Sequence, residues 1–163
     1  MKVAIISDIH DNLANLGFFL NLTKKEEIEK IICLGDITNQ ETLKILAQGF
    51  TGEILLVYGN MEIYSENDIK EYRNINYLGR FGTSQLGNFV VGLCHEPGFI
   101  KNLFEKNEDL NFIFYGHTHK PWLSMKNKAV LINPGTLGGV FQKASYAIWD
   151  DQDGKIKLKL IHN

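Results

Sequence analysis

"FIFYGHTHKP", residues 112–121, runs from four large apolar residues straight into two histidines set one residue apart. A run of four, rich in aromatic and β-branched side chains, reads as a strand buried on both faces. His117 and His119 then stand where that strand ends, and they use two of the chain's five histidines. On its own such a pair has three readings: a metal clamp, an acid–base device, or a polar loop. The other strand ends decide among them.

Five further apolar runs match this one: residues 3–6 (VAII), 31–34 (IICL), 54–58 (ILLVY), 89–94 (FVVGLC) and 129–132 (AVLI). Stretches of helical period separate the first three. Asn12 is a good N-cap, and Leu13, Leu16, Phe19 and Leu20 form an apolar stripe ending at the charged turn KKEE. Residues 40–50 repeat the pattern with Leu43, Leu46 and Ala47, and Gly49 lies near the end. A third helix is expected over 99–106. This β-α-β-α-β order over residues 1–60 predicts parallel strands with right-handed crossovers. The second half differs: a hairpin is expected around Leu86–Asn88, and two strands joined by a turn at Asp151–Gly154. The result is a mixed α/β domain over 1–163, with no linker and no domain boundary.

Composition bounds the function. The chain has 163 residues, 44% of them hydrophobic, enough to bury a core. A net charge of −2 argues against a broad nucleic-acid or anionic-membrane surface. A small phosphate ester stays compatible, because its charge can be met locally. "MKVAIISDIH" reaches Asp8 before a leader's apolar segment could develop, and no apolar run approaches membrane-span length. Cys33 and Cys94 lie inside apolar runs and read as buried thiols of a cytoplasmic protein rather than a disulfide or a nucleophile.

The residues just after each run are Ser7-Asp8-Ile9-His10, Gly35-Asp36, Gly59-Asn60, His95, Gly116-His117-Thr118-His119 and Asn133-Pro134-Gly135. Ligands of open α/β sheets bind at these carboxyl ends. Singly, each is weak; Gly-Asp and Gly-Asn are ordinary turn dipeptides. Together, two carboxylates, four imidazoles and an amide oxygen form a mixed N/O donor set suited to transition metals, not to Ca²⁺ or Mg²⁺. Seven donors exceed one ion and suit two that share a carboxylate, at a spacing of about 3.5–4 Å.

The series D-x-H, GD, GN, H, GHxH, in this order from Asp8 to His119 and followed by "INPGT", resembles the calcineurin-like metallophosphoesterase superfamily, in its small single-domain prokaryotic phosphodiesterase branch. The resemblance implies a four-layer αββα sandwich of two mixed sheets flanked by helices. It implies that Asp8, His10 and His119 hold one metal, that Asn60, His95 and His117 hold the other, and that Asp36 bridges them. The cofactors would be two divalent transition metal ions, Mn²⁺ first and Ni²⁺, Fe²⁺, Co²⁺ or Zn²⁺ after it. The activity would be hydrolysis of small phosphodiesters by a metal-bridging hydroxide, with Asp36, Asn60, His95 and Glu62 as the catalytic set. A small phosphoester is the expected partner; a membrane or nucleic acid is not, and a homo-oligomer is left open. The alternative is a protein-interaction scaffold like the retromer subunit of this fold.

Two departures stand out. "GNMEIY" puts Met61 where many members carry a histidine that acts on the leaving group, and a thioether cannot transfer a proton. Glu62 occupies the acidic position, either as a catalytic group or bonded to a loop amide. In "CHEPGF", Glu96 and Pro97 follow His95 where close relatives carry H-G-H, placing a carboxylate near an anionic substrate unless it turns away or meets a cation. Arg73, Arg80, Lys101 and Lys120 are the candidate phosphate clamps, Lys120 reading first as an exposed solubility lysine.

Overall fold

A computed structural model describes residues 1–161, so the expected domain of 1–163 reaches two residues, His162 and Asn163, that lie outside the described residues. Strands β1 (Lys2–Ile6), β2 (Lys30–Cys33), β3 (Glu53–Leu56) and β4 (Ile75–Tyr77) pair in parallel. The chain returns to the other side of β1 through β10 (Ser145–Asp150) and β11 (Ile156–Leu160), both antiparallel, giving the order β11-β10-β1-β2-β3-β4. The second sheet contains β5 (Phe81–Leu86), β6 (Phe89–Cys94), β7 (Phe112–Tyr115), β8 (Trp122–Lys126) and β9 (Ala129–Asn133), ordered β5-β6-β7-β9-β8. Its middle pairs are parallel and its outer pairs antiparallel.

Alternation along β1 divides the interior. Val3 and Ile5 point into the space between the sheets, with Leu34, Leu55, Leu93, Phe114, Ile132 and Trp149. Ala4 and Ile6 face the opposite way, against helices α1 (Leu13–Lys25) and α2 (Gln40–Gly49) through Leu16, Phe19, Leu43 and Leu46. Ile113, Tyr115 and Leu131 of the second sheet meet Ile100 and Leu103 of α4 (Ile100–Lys106). Those three interiors define four layers, helix–sheet–sheet–helix, as the resemblance implies. The middle one is the aromatic one, where Trp149 stands 5.2 Å from Phe112 and 5.7 Å from Phe114 by ring centroids.

Asn12 and Asn39 cap α1 and α2 through their side-chain oxygens, so both crossovers begin immediately past the strand-end loops they leave. Expected and observed elements differ in few places. The third strand ends at Leu56, because Tyr58 N–H bonds Gly79 instead of continuing the ladder. The third expected helix opens as a 3-10 turn over Pro97–Phe99 before α4. Three elements were not expected: β4, with three residues; α3 (Glu66–Lys70), with five, started by a Ser65/Asp68 capping box; and the edge strand β8. β8 turns into β9 at Asn127–Lys128, both left-handed, without the Asn-Gly pair that would advertise a hairpin.

Cys33 and Cys94 are buried and unpaired, and burial pushes the Cys94 thiol up to about 12. Among the described residues no helix is long and apolar enough to cross a membrane. Phe114 is fully buried where the two sheets meet. Phe114→Ala should therefore cost about 3–5 kcal/mol in urea-induced unfolding; a loss under about 1 kcal/mol would mean the sheets do not share this interior.

Candidate metal centre

The strand-end loops are laced to one another by their backbones. Asp8 N–H donates to Gly35 O (3.0 Å), Ile9 and His10 N–H to Asp36 O (2.9 and 3.0 Å), and Gly116 N–H to His95 O (3.0 Å). Leu137 and Gly138 N–H close the other side on Ser7 O and Asp8 O (2.8 and 3.0 Å). Such contact needs glycine for space: a Cβ on Gly59 would overlap Asp36 Oδ1, and one on Gly116 would overlap Ser7 Oγ. The Gly-Asn and Gly-His pairs are therefore marks of close approach more than of turns.

Asp8, His10 and His119 come together at one end of this framework. Asp8 Oδ1 lies 3.1 Å from His119 Nε2 and 3.7 Å from His10 Nε2, and the two imidazole nitrogens are 3.2 Å apart. Asn60, His95 and His117 form the other group, with Asn60 Oδ1 2.9 Å from His95 Nε2 and 2.8 Å from His117 Nδ1. Asp36 stands between: its Oδ2 is 3.7 Å from His10 Nε2 and 3.3 Å from His95 Nε2. All seven side chains singled out from the sequence are thus gathered in one place.

The chemistry of this set fits cations. A backbone carbonyl only accepts, so His95 Nδ1–H donates to Leu34 O (2.7 Å) and His119 Nδ1–H to Val140 O (3.0 Å). Each ring then turns an Nε2 lone pair inward when neutral, the arrangement by which outer hydrogen bonds orient a metal-binding histidine. Asp8 Oδ2 accepts the His117 N–H (3.1 Å), whereas Oδ1 is buried with no hydrogen-bond donor. Protons show the same pull. The nearby Asp8 carboxylate, aided by the Asp36 charge against the cost of burial, raises the His10 pKa. Burial works to raise the Asp36 carboxyl, yet the bond and charge of His95 hold it below the usual carboxylate range. Burial likewise opposes charge on His95, and the nearby Asp36 and Asp8 overcome it to raise its pKa.

Glu62 serves the loops. Oε2 accepts the Thr38 N–H (2.8 Å), and Oε1 accepts those of Gly59 and Ile37 (3.2 and 3.3 Å). Burial raises its pKa against those three amide bonds. Of its two readings from sequence, the geometry matches loop bonding; as a catalytic group it has no oxygen free of this duty. Met61 reaches the site by its backbone, N–H to Asp36 Oδ1 (2.9 Å), with its side chain 54% exposed. Glu96 meets a cation, Arg80, at 3.5 Å. Lys120 lies over the Trp122 ring at 5.1 Å, and Lys101 pairs with Glu105 along α4, so three of the four clamp candidates have partners of their own. Arg73 is exposed beyond the short helix α3.

Two supports were not read from sequence. Asn133 Nδ2 holds the His117–His119 loop through Gly116 O (2.8 Å) and Thr118 Oγ1 (3.0 Å), and Thr136 Oγ1 donates to Asp8 O (2.8 Å). Asn133-Pro134-Gly135 was visible as the one strand end without a candidate ligand, and Asn133 holds the loop that carries two such candidates.

Comparison with known proteins places the fold and the family. A phosphodiesterase of Methanocaldococcus jannaschii is 25% identical over 145 residues, which cover 85% of this chain and 86% of the relative. Among solved structures, an archaeal phosphodiesterase superposes with a TM-score of 0.87 at 21% identity, covering 99% of this chain and all of the other. The phosphoesterase Yfce from E. coli gives 0.69 at 22% identity over 99% of this chain and all of that one. Vps29 from Entamoeba histolytica, solved with Zn²⁺, gives 0.71 at 20% identity over 99% and 98%. At such identities the superpositions speak for the fold. Residues 1–154 match the calcineurin-like phosphoesterase superfamily domain, and the chain belongs to that superfamily.

Proposed function

We propose that this protein is a binuclear metal-dependent phosphodiesterase acting on small phosphodiesters. One observation carries the proposal: two groups of inward-facing donor atoms, Asp8/His10/His119 and Asn60/His95/His117, with the Asp36 carboxylate between them. Membership of the superfamily and the phosphodiesterase among the relatives support the same reaction class. The first group would hold one divalent ion and the second another, Mn²⁺ being the leading candidate, with Asp36 shared. Bound there, two such ions supply Lewis acidity, lowering the pKa of water and offsetting charge on the phosphoryl oxygens.

The chain's own residues do the rest. Asp36 keeps its charge at low pKa and faces both groups, so it sets their spacing. His95 and His119 are locked as Nδ1–H tautomers by Leu34 O and Val140 O, which spares the cost of reorienting the rings. Glu62 ties the Asp36 loop to the Asn60 loop and so fixes one donor relative to another. Neither Met61 nor Glu62 offers a proton to a departing oxygen, one for want of an acidic hydrogen and the other because both its oxygens accept from amides.

The alternative, an interaction scaffold of this fold, draws on the likeness to Vps29. Vps29 was itself solved with Zn²⁺, so the weight towards the enzyme comes from the phosphodiesterase among the relatives.

Elemental analysis of protein loaded with Mn²⁺ and gel-filtered should return two ions per chain, alongside turnover of bis-p-nitrophenyl phosphate; one ion or none would remove the binuclear proposal. Asp36→Asn should lower activity more than any other single donor change while leaving the urea midpoint nearly in place. Activity equal to that of Asn60→Ala would show that Asp36 is not shared. General acid catalysis is worth roughly 10²–10⁴ in rate, so its lack predicts a steep dependence on leaving-group pKa. Aryl diesters should be cleaved far faster than alkyl ones, and Met61→His should flatten the slope by helping alkyl substrates. A shallow slope in the parent protein would reveal a proton donor elsewhere.

A further inference from the structure

Phe141 is the anomaly at the mouth of this centre. It is 90% exposed, more than any other large apolar side chain among the described residues, so it adds almost nothing to the core. Its φ is +62°, a left-handed conformation that a bulky non-glycine residue rarely adopts. The neighbouring Gly139, at φ +76°, occupies the same region without a Cβ to crowd. A strained backbone carrying an unburied phenyl has no return in packing.

Its surroundings fix it in place. The ring lies beside His119, with centroids 5.7 Å apart and planes tilted by 30°. His119 Nδ1 donates to the carbonyl of Val140, the residue just before it, so imidazole and phenyl are tied through one hydrogen bond. The loop is bolted further back: Gly139 N–H reaches Thr136 Oγ1 (3.2 Å), and Asn12 Nδ2 reaches Gly138 O (2.8 Å). The phenyl therefore lies against a donor of the first metal group, on a loop tied back by three hydrogen bonds, with an open aromatic face.

We infer that Phe141 is a specificity residue, a stacking platform for a planar aromatic ring on one arm of the phosphodiester substrate. The inference rests on the phosphodiesterase proposal and deepens it by naming the substrate class: diesters bearing an aryl or nucleobase group, in preference to purely alkyl diesters. A monoanionic diester suits the place, since Arg80 and Lys120 are engaged by Glu96 and Trp122 and the free face offered is apolar. The ring is held by its π-face, through dispersion and offset stacking, so several flat groups would serve.

Calorimetric titration of the Mn²⁺-loaded protein with diphenyl phosphate, diethyl phosphate and adenosine 3′,5′-cyclic phosphate tests this without depending on turnover. Diphenyl phosphate should bind about tenfold more tightly than diethyl phosphate, the order of one aromatic stack. In Phe141→Ala the two should become nearly equal, chiefly by weaker diphenyl binding, and Phe141→Trp should restore the preference. Metal content should match the parent in both variants. Adenosine 3′,5′-cyclic phosphate losing affinity in step with diphenyl phosphate identifies a nucleobase as an acceptable ring; its failure to bind while diphenyl phosphate does confines the platform to simple aryl groups and overturns the nucleobase half of the class. An aryl preference unchanged in Phe141→Ala overturns the platform while leaving the phosphodiesterase proposal standing. Absence of bis-p-nitrophenyl phosphate turnover by the metal-loaded parent is the failure of that proposal, and with it of the substrate class named here.

Discussion

The Asp8 carboxylate is the group on which the rest of this molecule turns. It is fully buried, one oxygen receives a single amide N–H, and the other receives none. Around that bare oxygen stand three imidazole Nε2 atoms, from His119, His10 and His95, at 3.1, 3.7 and 4.0 Å. A buried anion facing lone pairs is costly unless positive charge arrives from somewhere. Protons answer part of the need, which is why His10 and His95 are drawn towards their charged forms. A divalent cation answers it better, because it satisfies Asp8 and the imidazoles at once. Metal affinity and native stability are then two views of one equilibrium.

Backbone conformation follows from that convergence. Eleven non-glycine residues among those described have positive φ, and Asp8, His10, Asp11, Asp36, Thr38, His117, His119 and Phe141 are all in the strand-end loops or beside them. Left-handed geometry is tolerated best by short polar residues such as Asp and His, which are also the metal-binding types. One chemical choice therefore serves both the turn and the donor. Thr38 is the exception among the loops nearest Asp36: a β-branched residue at φ +91°, kept there by its N–H on Glu62 and its carbonyl on Ile63 N–H. Removing such ties would release the loop before it disturbed the core.

Much of this was legible because position and chemistry coincide in the sequence. Each donor follows an apolar run by one to four residues, so finding the strands also found the side chains that converge. The parallel first half was plain for the same reason, its strands being continuous apolar runs separated by capped helices. β4 was hidden by being three residues long, and β8 by having Trp122, Leu123 and Met125 exposed on an edge, where neither alternation nor a buried run exists. The site's supports were hidden differently. Asn133 and Thr136 act through backbone atoms of distant loops, and Glu62 through amides, contacts that leave no periodic trace. Phe141 carried no signal, since a lone phenylalanine reads as core until its exposure is known.

The acidic residues nearest the centre are taken up by its framework. Glu62 is occupied by three amides, Glu96 by Arg80, and Asp11 by Thr42 Oγ1 (2.6 Å) and Asn39 N–H (3.2 Å). Each carboxylate that could have acted as an acid is instead a fastener of the framework. Met61 and Ile63, just after Asn60 in the chain, and Phe141, beside His119, are exposed by 54%, 79% and 90%. Apolar groups of this kind neither protonate a leaving group nor compensate a second phosphate charge; what they offer is dispersion and stacking to flat or apolar groups. On the proposed reading, discrimination would rest on the arms of a diester and the quality of its leaving group, with the protein's precision invested in the donors beneath.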